Sequence, residues 1–307
     1  MKIKNLEESI LFTICYFDVF DYPVTSFEVW RYLFAYKAPL DQVILKLDEL
    51  IRQGRIEMKN GFYFLPERSN LVRSRQIKYD ISEKFWNRAI LAAKILSYIP
   101  FIKMISIVNS LAFFNCDKES DIDFLIITEK NKIWTARALS SILLHILGLR
   151  RHGKKVAKRI CLSFYISEEK MNLDYIAQDK LGFFVAFWIA QMASIISFQQ
   201  TFEKFRAANT WVYYFLPNSG HNITDYYINF KRPFLSKIIK KWTEILLKND
   251  FFENTARKIQ LKQIERSQKK WGNPASVITN DQILKFHPID LRIKYKKELE
   301  KRLAQFK

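Results

Sequence analysis

Glycine is scarce in this chain, with seven residues in 307. A Walker loop or a dinucleotide fingerprint needs several glycines in one tight turn to bring backbone against phosphate, and neither motif occurs. Cysteine is scarcer, at three residues. Cys15, Cys116 and Cys161 are scattered through apolar segments without paired spacing. That pattern excludes a disulfide frame or a thiolate zinc site and fits reduced, small-hydrophobe cysteines in a cytoplasmic protein. The four histidines are equally dispersed, which argues against a His-based metal cluster. There is no internal repeat or low-complexity tract. Residues 1–8 mix lysine with acids and lack the charged-then-apolar order of a signal peptide.

Hydrophobic residues make up 49% of the chain, enough for two or three modest domains with a substantial core. One apolar run, Leu181 to Phe198, has no charge and approaches the length of a membrane span. Gln191, Ser194 and Ser197 recur along it at helical spacing, so the expectation is a buried central helix and no membrane span. The net charge is +19. An excess of that size attracts phosphate-bearing partners, nucleotides first and nucleic acid as the less favoured case. The plainer alternative is a lysine-coated surface, which also accounts for most of the basic stretch 231–270.

Asp121 and Asp123 sit one residue apart at the head of Phe124-Leu125-Ile126-Ile127, an apolar run that ends at Thr128-Glu129-Lys130 and reads as a buried strand. Positions i and i+2 of a strand share a face, so both carboxylates project together. Two like charges that close repel unless a divalent cation lies between them, and oxygen ligands favour Mg2+ or Mn2+. Alone, Asp-x-Asp is more often a solvated pair of loop carboxylates. The preceding segment strengthens the metal reading: Lys103 to Val108 alternates toward a strand and runs into Asn109-Ser110. A tight strand-to-helix turn there would aim backbone N–H groups and the Ser110 hydroxyl at an anion.

A serine turn followed by Asp-x-Asp on the next strand resembles the polymerase-beta-like nucleotidyltransferase superfamily. The whole chain is similar to prokaryotic proteins that join a winged-helix segment to such a domain. The resemblance implies that Asn109 and Ser110 contact nucleotide phosphates and that Asp121 and Asp123 are the catalytic metal ligands. Two departures stand out. Asn109 replaces the family's glycine, although Asn is the next most tolerant residue of a positive φ. Active members also carry a third carboxylate on a later strand. The best later strand here, Ile160 to Ile166, has no acid; Glu168, Glu169 and Asp174 just beyond it are the candidates.

The fold class expected is α+β: a winged helix-turn-helix over 1–68, a linking helix within 69–99, a small mixed-sheet nucleotidyltransferase core over 100–170 and a helical region over 171–307. In the first unit, helices are expected over Glu7–Phe20, from Thr25 or Ser26 to Phe34, and over Leu40–Gln53. Asn60-Gly61 then turns a hairpin. The third helix exposes Asp41, Asp48 and Glu49, which phosphates would repel, so a partner-binding role is at least as well supported as DNA reading. The linking helix is expected over Asp80–Tyr98, and another over Ile133–Leu149 leads into the basic loop Arg150–Lys155. Near the end, Lys285, His287 and Arg292 cluster around Pro288 and form a candidate nucleotide-facing loop, the plainer alternative being a docking turn capped by Asp290.

The leading function is therefore Mg2+-dependent transfer of an NMP from ATP or another NTP to a hydroxyl of an acceptor the sequence does not identify. The alternatives are a catalytically lapsed nucleotide-binding or scaffold protein, and a winged-helix DNA-binding regulator.

Overall fold

The computed structural model describes residues 3–178, 181–220, 234–271 and 276–306. Helix α1 (Leu6–Asp18) opens behind Asn5, whose side chain accepts the Glu8 amide. Strand β1 (Val24–Thr25) leads into α2 (Ser26–Arg31), where Thr25 and Glu28 form a reciprocal capping box. Helix α3 (Leu40–Arg52) buries Val43, Leu47 and Leu50. Strands β2 (Glu57–Lys59) and β3 (Phe62–Phe64) turn at Asn60 and Gly61, both at positive φ, as a two-residue hairpin demands. Strand β1 adds to β3, so the three form an antiparallel sheet in the order β1-β3-β2.

Helix α4 spans Asn70–Leu96, beginning ten residues before the expected Asp80. Its first turns carry Arg73, Arg75, Gln76 and Lys78 and read as a polar linker, yet Arg75 has an interior role. Its guanidinium lies 4.0 Å from the Tyr22 ring centroid and donates two hydrogen bonds, at 2.9 and 2.8 Å, to the Glu28 carboxylate.

The second sheet starts with β4 (Ile102–Val108), followed by β5 (Ile122–Thr128), α5 (Ile133–Ile146) and β6 (Ile160–Ser167). Strand β4 pairs antiparallel with β5, and β5 parallel with β6, the crossover running through α5. The chain continues through α6 (Asp174–Ala177), α7 (Gly182–Gln191), β7 (Ala193–Ser197), α8 (Thr201–Ala208) and α9 (Val212–Phe215). It ends with α10 (Phe234–Leu246), α11 (Asp250–Trp271), β8 (Ile278–Thr279), β9 (Ile283–Lys285) and α12 (Arg292–Leu303). The six strands lie in the order β7-β4-β5-β6-β9-β8, which makes the protein a mixed α+β structure.

Two expectations need correction. The 181–198 run is not one helix: α7 ends at Gln191, Met192 turns extended, and Ala193–Ser197 pairs with β4. The open edge of β4 and the β-branched Ile195 and Ile196 override the helical pattern. The 171–307 region is likewise not purely helical, because it supplies β7, β8 and β9. Among the described residues no helix is long and apolar enough to cross a membrane. Positions 231–233 of the basic stretch lie outside the described residues.

Alternation along the strands sorts side chains onto two faces. Ile105, Ile107, Phe124, Ile126 and Leu162 face the core built with α4, α5 and α11, while Met104, Val108, Leu125, Ile127 and Phe164 face the core built with Met192, Phe202 and Phe205. A third core joins the first 65 residues to α7. Tyr16 stacks on Phe187 at 3.6 Å and Phe12 on Phe34 at 3.9 Å, and Phe184 and Leu216 are buried with them. The aromatic side chains of the first 65 residues are thus shared packing with α7. Buried Asp18, paired with Arg68 and Arg302, ties α12 to α1.

Burial alone would raise the Glu28 carboxyl, but the Arg75 bonds outweigh it and hold the group below the usual range. Arg75→Ala is expected to cost about 2–3 kcal/mol in urea unfolding at pH 7, since it leaves a largely buried carboxylate without its cation. That contribution is complete above the unfolded pKa of about 4.3 and is lost as pH falls, so the two proteins should converge on acidification. A loss under about 0.5 kcal/mol, the range of an ordinary surface change, contradicts this role.

Candidate functional site

Strand β4 ends at Val108, directly opposite Asp123 on β5. The next residue, Asn109, adopts a left-handed conformation with φ +59° and opens a short 3-10 turn, Asn109–Phe113. Asn is among the few side chains that tolerate this region. Here its amide is used at both ends: Nδ2 donates to Asp123 Oδ2 at 2.8 Å, and Oδ1 accepts from the Trp188 indole N–H, also at 2.8 Å. Glycine would adopt the same backbone but would leave both partners unmatched.

Asp121, just before β5, and Asp123, within it, continue the Leu125–Ile127 face. On the parallel neighbour β6, Cys161 lies opposite Asp123. One ligand atom from each of Asp121, Asp123 and Cys161 falls within a 4.8 Å cluster. Burial first, and then the charge of Asp121, push the Asp123 carboxyl up to about 6, against the opposing Asn109 bond. Burial and the Asp123 charge also raise the Cys161 thiol. Asp121 is answered differently: its Oδ2 lies 2.6 Å from Nη1 of Arg151, and the same nitrogen lies 3.7 Å from Cys161 Sγ. This ion pair sits at the surface, with the Arg151 side chain 45% exposed and that of Asp121 18%.

The other candidates have partners of their own. The Ser110 hydroxyl contacts Cys116 Sγ at 3.4 Å. Lys285 donates to the Ser276 carbonyl at 3.0 Å. Arg292 pairs with Asp290 at 2.7 Å and donates to the Ile176 carbonyl, while Asp290 accepts the Arg292 amide, in keeping with a docking turn. His287 is nearer: its Nε2 lies 3.1 Å from Ser163 Oγ, two residues along β6 from Cys161. Burial, and then Lys285, push its imidazole down to about 4, so it is neutral at pH 7. Glu168 and Glu169 engage Lys103 and Lys130 at the far end of β6, roughly 20 Å from Cys161 at about 3.3 Å per strand residue. Asp174 opens α6 and takes no part in the cluster. None of the three acids supplies the missing carboxylate.

By sequence Cys161 reads as a small-hydrophobe cysteine, yet it lies in the ligand cluster; Trp188 and Ser163 were not singled out, and Arg151 figured only as part of a basic loop. Cys161 was detectable from pairing alone, since any strand laid parallel to Asp121–Thr128 in this register sets its second residue against Asp123. Trp188 was hidden inside an apolar run. A cleft of about 630 Å³ between α4 and residues 117–119 includes Asp117 and Glu119 but neither paired carboxylate.

Two carboxylates and a thiol on rigid strands fit a divalent cation. The sulfur departs from the all-oxygen shell that suits Mg2+ and leaves Mn2+ or a softer ion better matched. No family model, curated protein or solved structure matches this chain.

Because the folded state holds the Asp123 proton more tightly than the unfolded state, stability falls as pH rises from about 4 to about 6, and the cost persists above that. Asp123→Asn keeps an acceptor for Asn109 while removing the charge. In metal-free buffer it should stabilise the protein by up to about 3 kcal/mol at pH 8 and by nothing at pH 4. Urea midpoints at the two pH values measure this, and equal effects at both would refute the buried-charge assignment.

Proposed function

We propose that this protein is a divalent-cation-dependent nucleotidyltransferase that moves an NMP from an NTP to a hydroxyl acceptor. The observation that carries the reading is the locked pairing of Asn109 and Asp123. A left-handed turn leaving β4 and an Asp-x-Asp at the head of the antiparallel β5 meet through one hydrogen bond. The resemblance to the polymerase-beta-like superfamily requires that juxtaposition of turn and carboxylates.

Asp121 and Asp123 would hold Mg2+ or Mn2+, with Cys161 beside them. The cation, when bound, neutralises charge on the triphosphate and on the departing pyrophosphate. The chain itself orients the carboxylates, through Asn109 for Asp123 and through the start of β5 for Asp121. The turn after Val108 offers its backbone N–H groups to phosphate. With no acid opposite Asp123 on β6, the acceptor hydroxyl, made more acidic by the cation, would lose its proton to solvent, which costs about 10²–10⁴ in rate relative to a positioned base.

That missing acid favours a second reading, a nucleotide-binding protein that no longer turns over. The three helices and the β1-β3-β2 sheet of residues 1–68 support a winged-helix assignment. Asp41, Asp48 and Glu49 along α3 favour a protein partner over DNA for that unit. Cytoplasmic location fits the three free cysteines.

The double variant Asp121→Asn with Asp123→Asn should lower Mn2+-dependent pyrophosphate release from NTPs by about 10³-fold, the scale of several kcal/mol of charge stabilisation, with its circular dichroism spectrum unchanged. Equal release by the variant would refute the assigned carboxylate role. NTP binding without any release by the wild type would favour the second reading.

A further inference from the structure

We propose that Arg151 is a two-position cation: it closes the carboxylate pair in the free protein and moves to the nucleotide's phosphates when a divalent ion takes Asp121. The inference rests on the cation site described above and adds the coupling between metal and nucleotide. Nη1 of Arg151 stands 2.6 Å from Asp121 Oδ2 and 3.7 Å from Cys161 Sγ. It therefore stands against the group of ligand atoms that cluster within 4.8 Å. A divalent ion held by the same atoms would have to approach each to about 2.0–2.6 Å. An ion there would face the guanidinium across the shared carboxylate, and the repulsion of the two positive charges favours release of Arg151 as the metal enters.

The tether allows the movement. The Arg151 amide donates to the Ile160 carbonyl at 2.9 Å, and Arg150 bridges to Ile160, so the backbone is anchored at the head of β6. The side chain is 45% exposed, and among the described residues its guanidinium bonds run through Nη1 alone. Once Asp121 is neutralised by the ion, the nearest unmatched anion is the polyphosphate arriving with it, and a guanidinium fork suits phosphate oxygens.

The other cations and donors singled out in the sequence are engaged elsewhere: Ser110 on Cys116, Lys285 on Ser276 and Arg292 on Asp290. That leaves Arg151 as the cation already at the carboxylates. Metal alone must compete with it, whereas metal with nucleotide gives it a new partner. Binding of the two should therefore be mutually reinforcing.

The test is Mn2+ binding to the full chain, read by loss of the free-ion electron paramagnetic resonance signal, with and without a non-hydrolysable ATP analogue. Wild type, Arg151→Ala, Arg151→Lys and the Asp121→Asn/Asp123→Asn double variant are compared. Arg151→Ala should bind Mn2+ alone about tenfold more tightly, while the analogue's tightening of Mn2+, about tenfold in wild type, should disappear; both lie within the usual range of site coupling. Arg151→Lys, charged but unforked, should fall between them. A structural role would weaken both bindings together and would not give opposite signs. Unchanged Mn2+ affinity in Arg151→Ala, or coupling that survives it, overturns the proposal while leaving the cation site standing. No Mn2+ binding to either protein, or binding that ignores the double aspartate variant, removes the site and the proposal together.

Discussion

A relay of three side chains holds the candidate site in shape: the indole N–H of Trp188, the amide of Asn109 and the carboxylate of Asp123. Each link is 2.8 Å. Because the amide must present Nδ2 to a carboxylate and Oδ1 to an N–H, its orientation is set by chemistry. The left-handed backbone at Asn109 is over-determined by these bonds, which offsets the cost of that conformation. Trp188 is in turn stacked on Phe164 of β6, with ring centroids 5.7 Å apart, in the core that carries Leu125 and Ile127. Packing around Phe164 is thus connected through two hydrogen bonds to the Asp123 carboxylate.

Electrostatics divides the two acids. Asp123 is half-buried, repelled by Asp121 and, among the described residues, held by the neutral Asn109 amide, so its charge is costly in the absence of a cation. Asp121 is compensated at the surface by Arg151. Among the described residues no cation bonds Asp123, whereas Asp121 has the Arg151 guanidinium beside it. A cation that satisfied both would relieve the first and release the guanidinium from the second. The thiol of Cys161 adds a softer donor on the same face and distinguishes this arrangement from one built of carboxylates alone.

Much of the architecture was legible in the sequence where local rules governed it. The Asn60-Gly61 hairpin, the third helix over Leu40–Gln53 and the apolar strands on either side of Asp121 follow from turn chemistry and periodicity. The shared face of Asp121 and Asp123 follows from the strand period. What escaped depended on partners distant in the chain. Ala193–Ser197 is a strand because β4 has a free edge there, and the first turns of α4 are helical while Arg75 reaches Glu28. The partners of Ser110 and Arg292, Cys116 at 3.4 Å and Asp290 at 2.7 Å, were equally out of reach of local rules. Arg151 and Cys161 became meaningful only once β6 was laid beside β5.

The central claim is that the Asn109-locked carboxylates form one divalent-cation position. Anomalous diffraction at the manganese edge, from crystals grown with Mn2+ and a non-hydrolysable NTP, addresses it directly. The account predicts a single peak bridging the side chains of Asp121 and Asp123, with Asn109 still bonded to Trp188. No peak there, or one coordinated by other residues while Arg151 stays on Asp121, would contradict it.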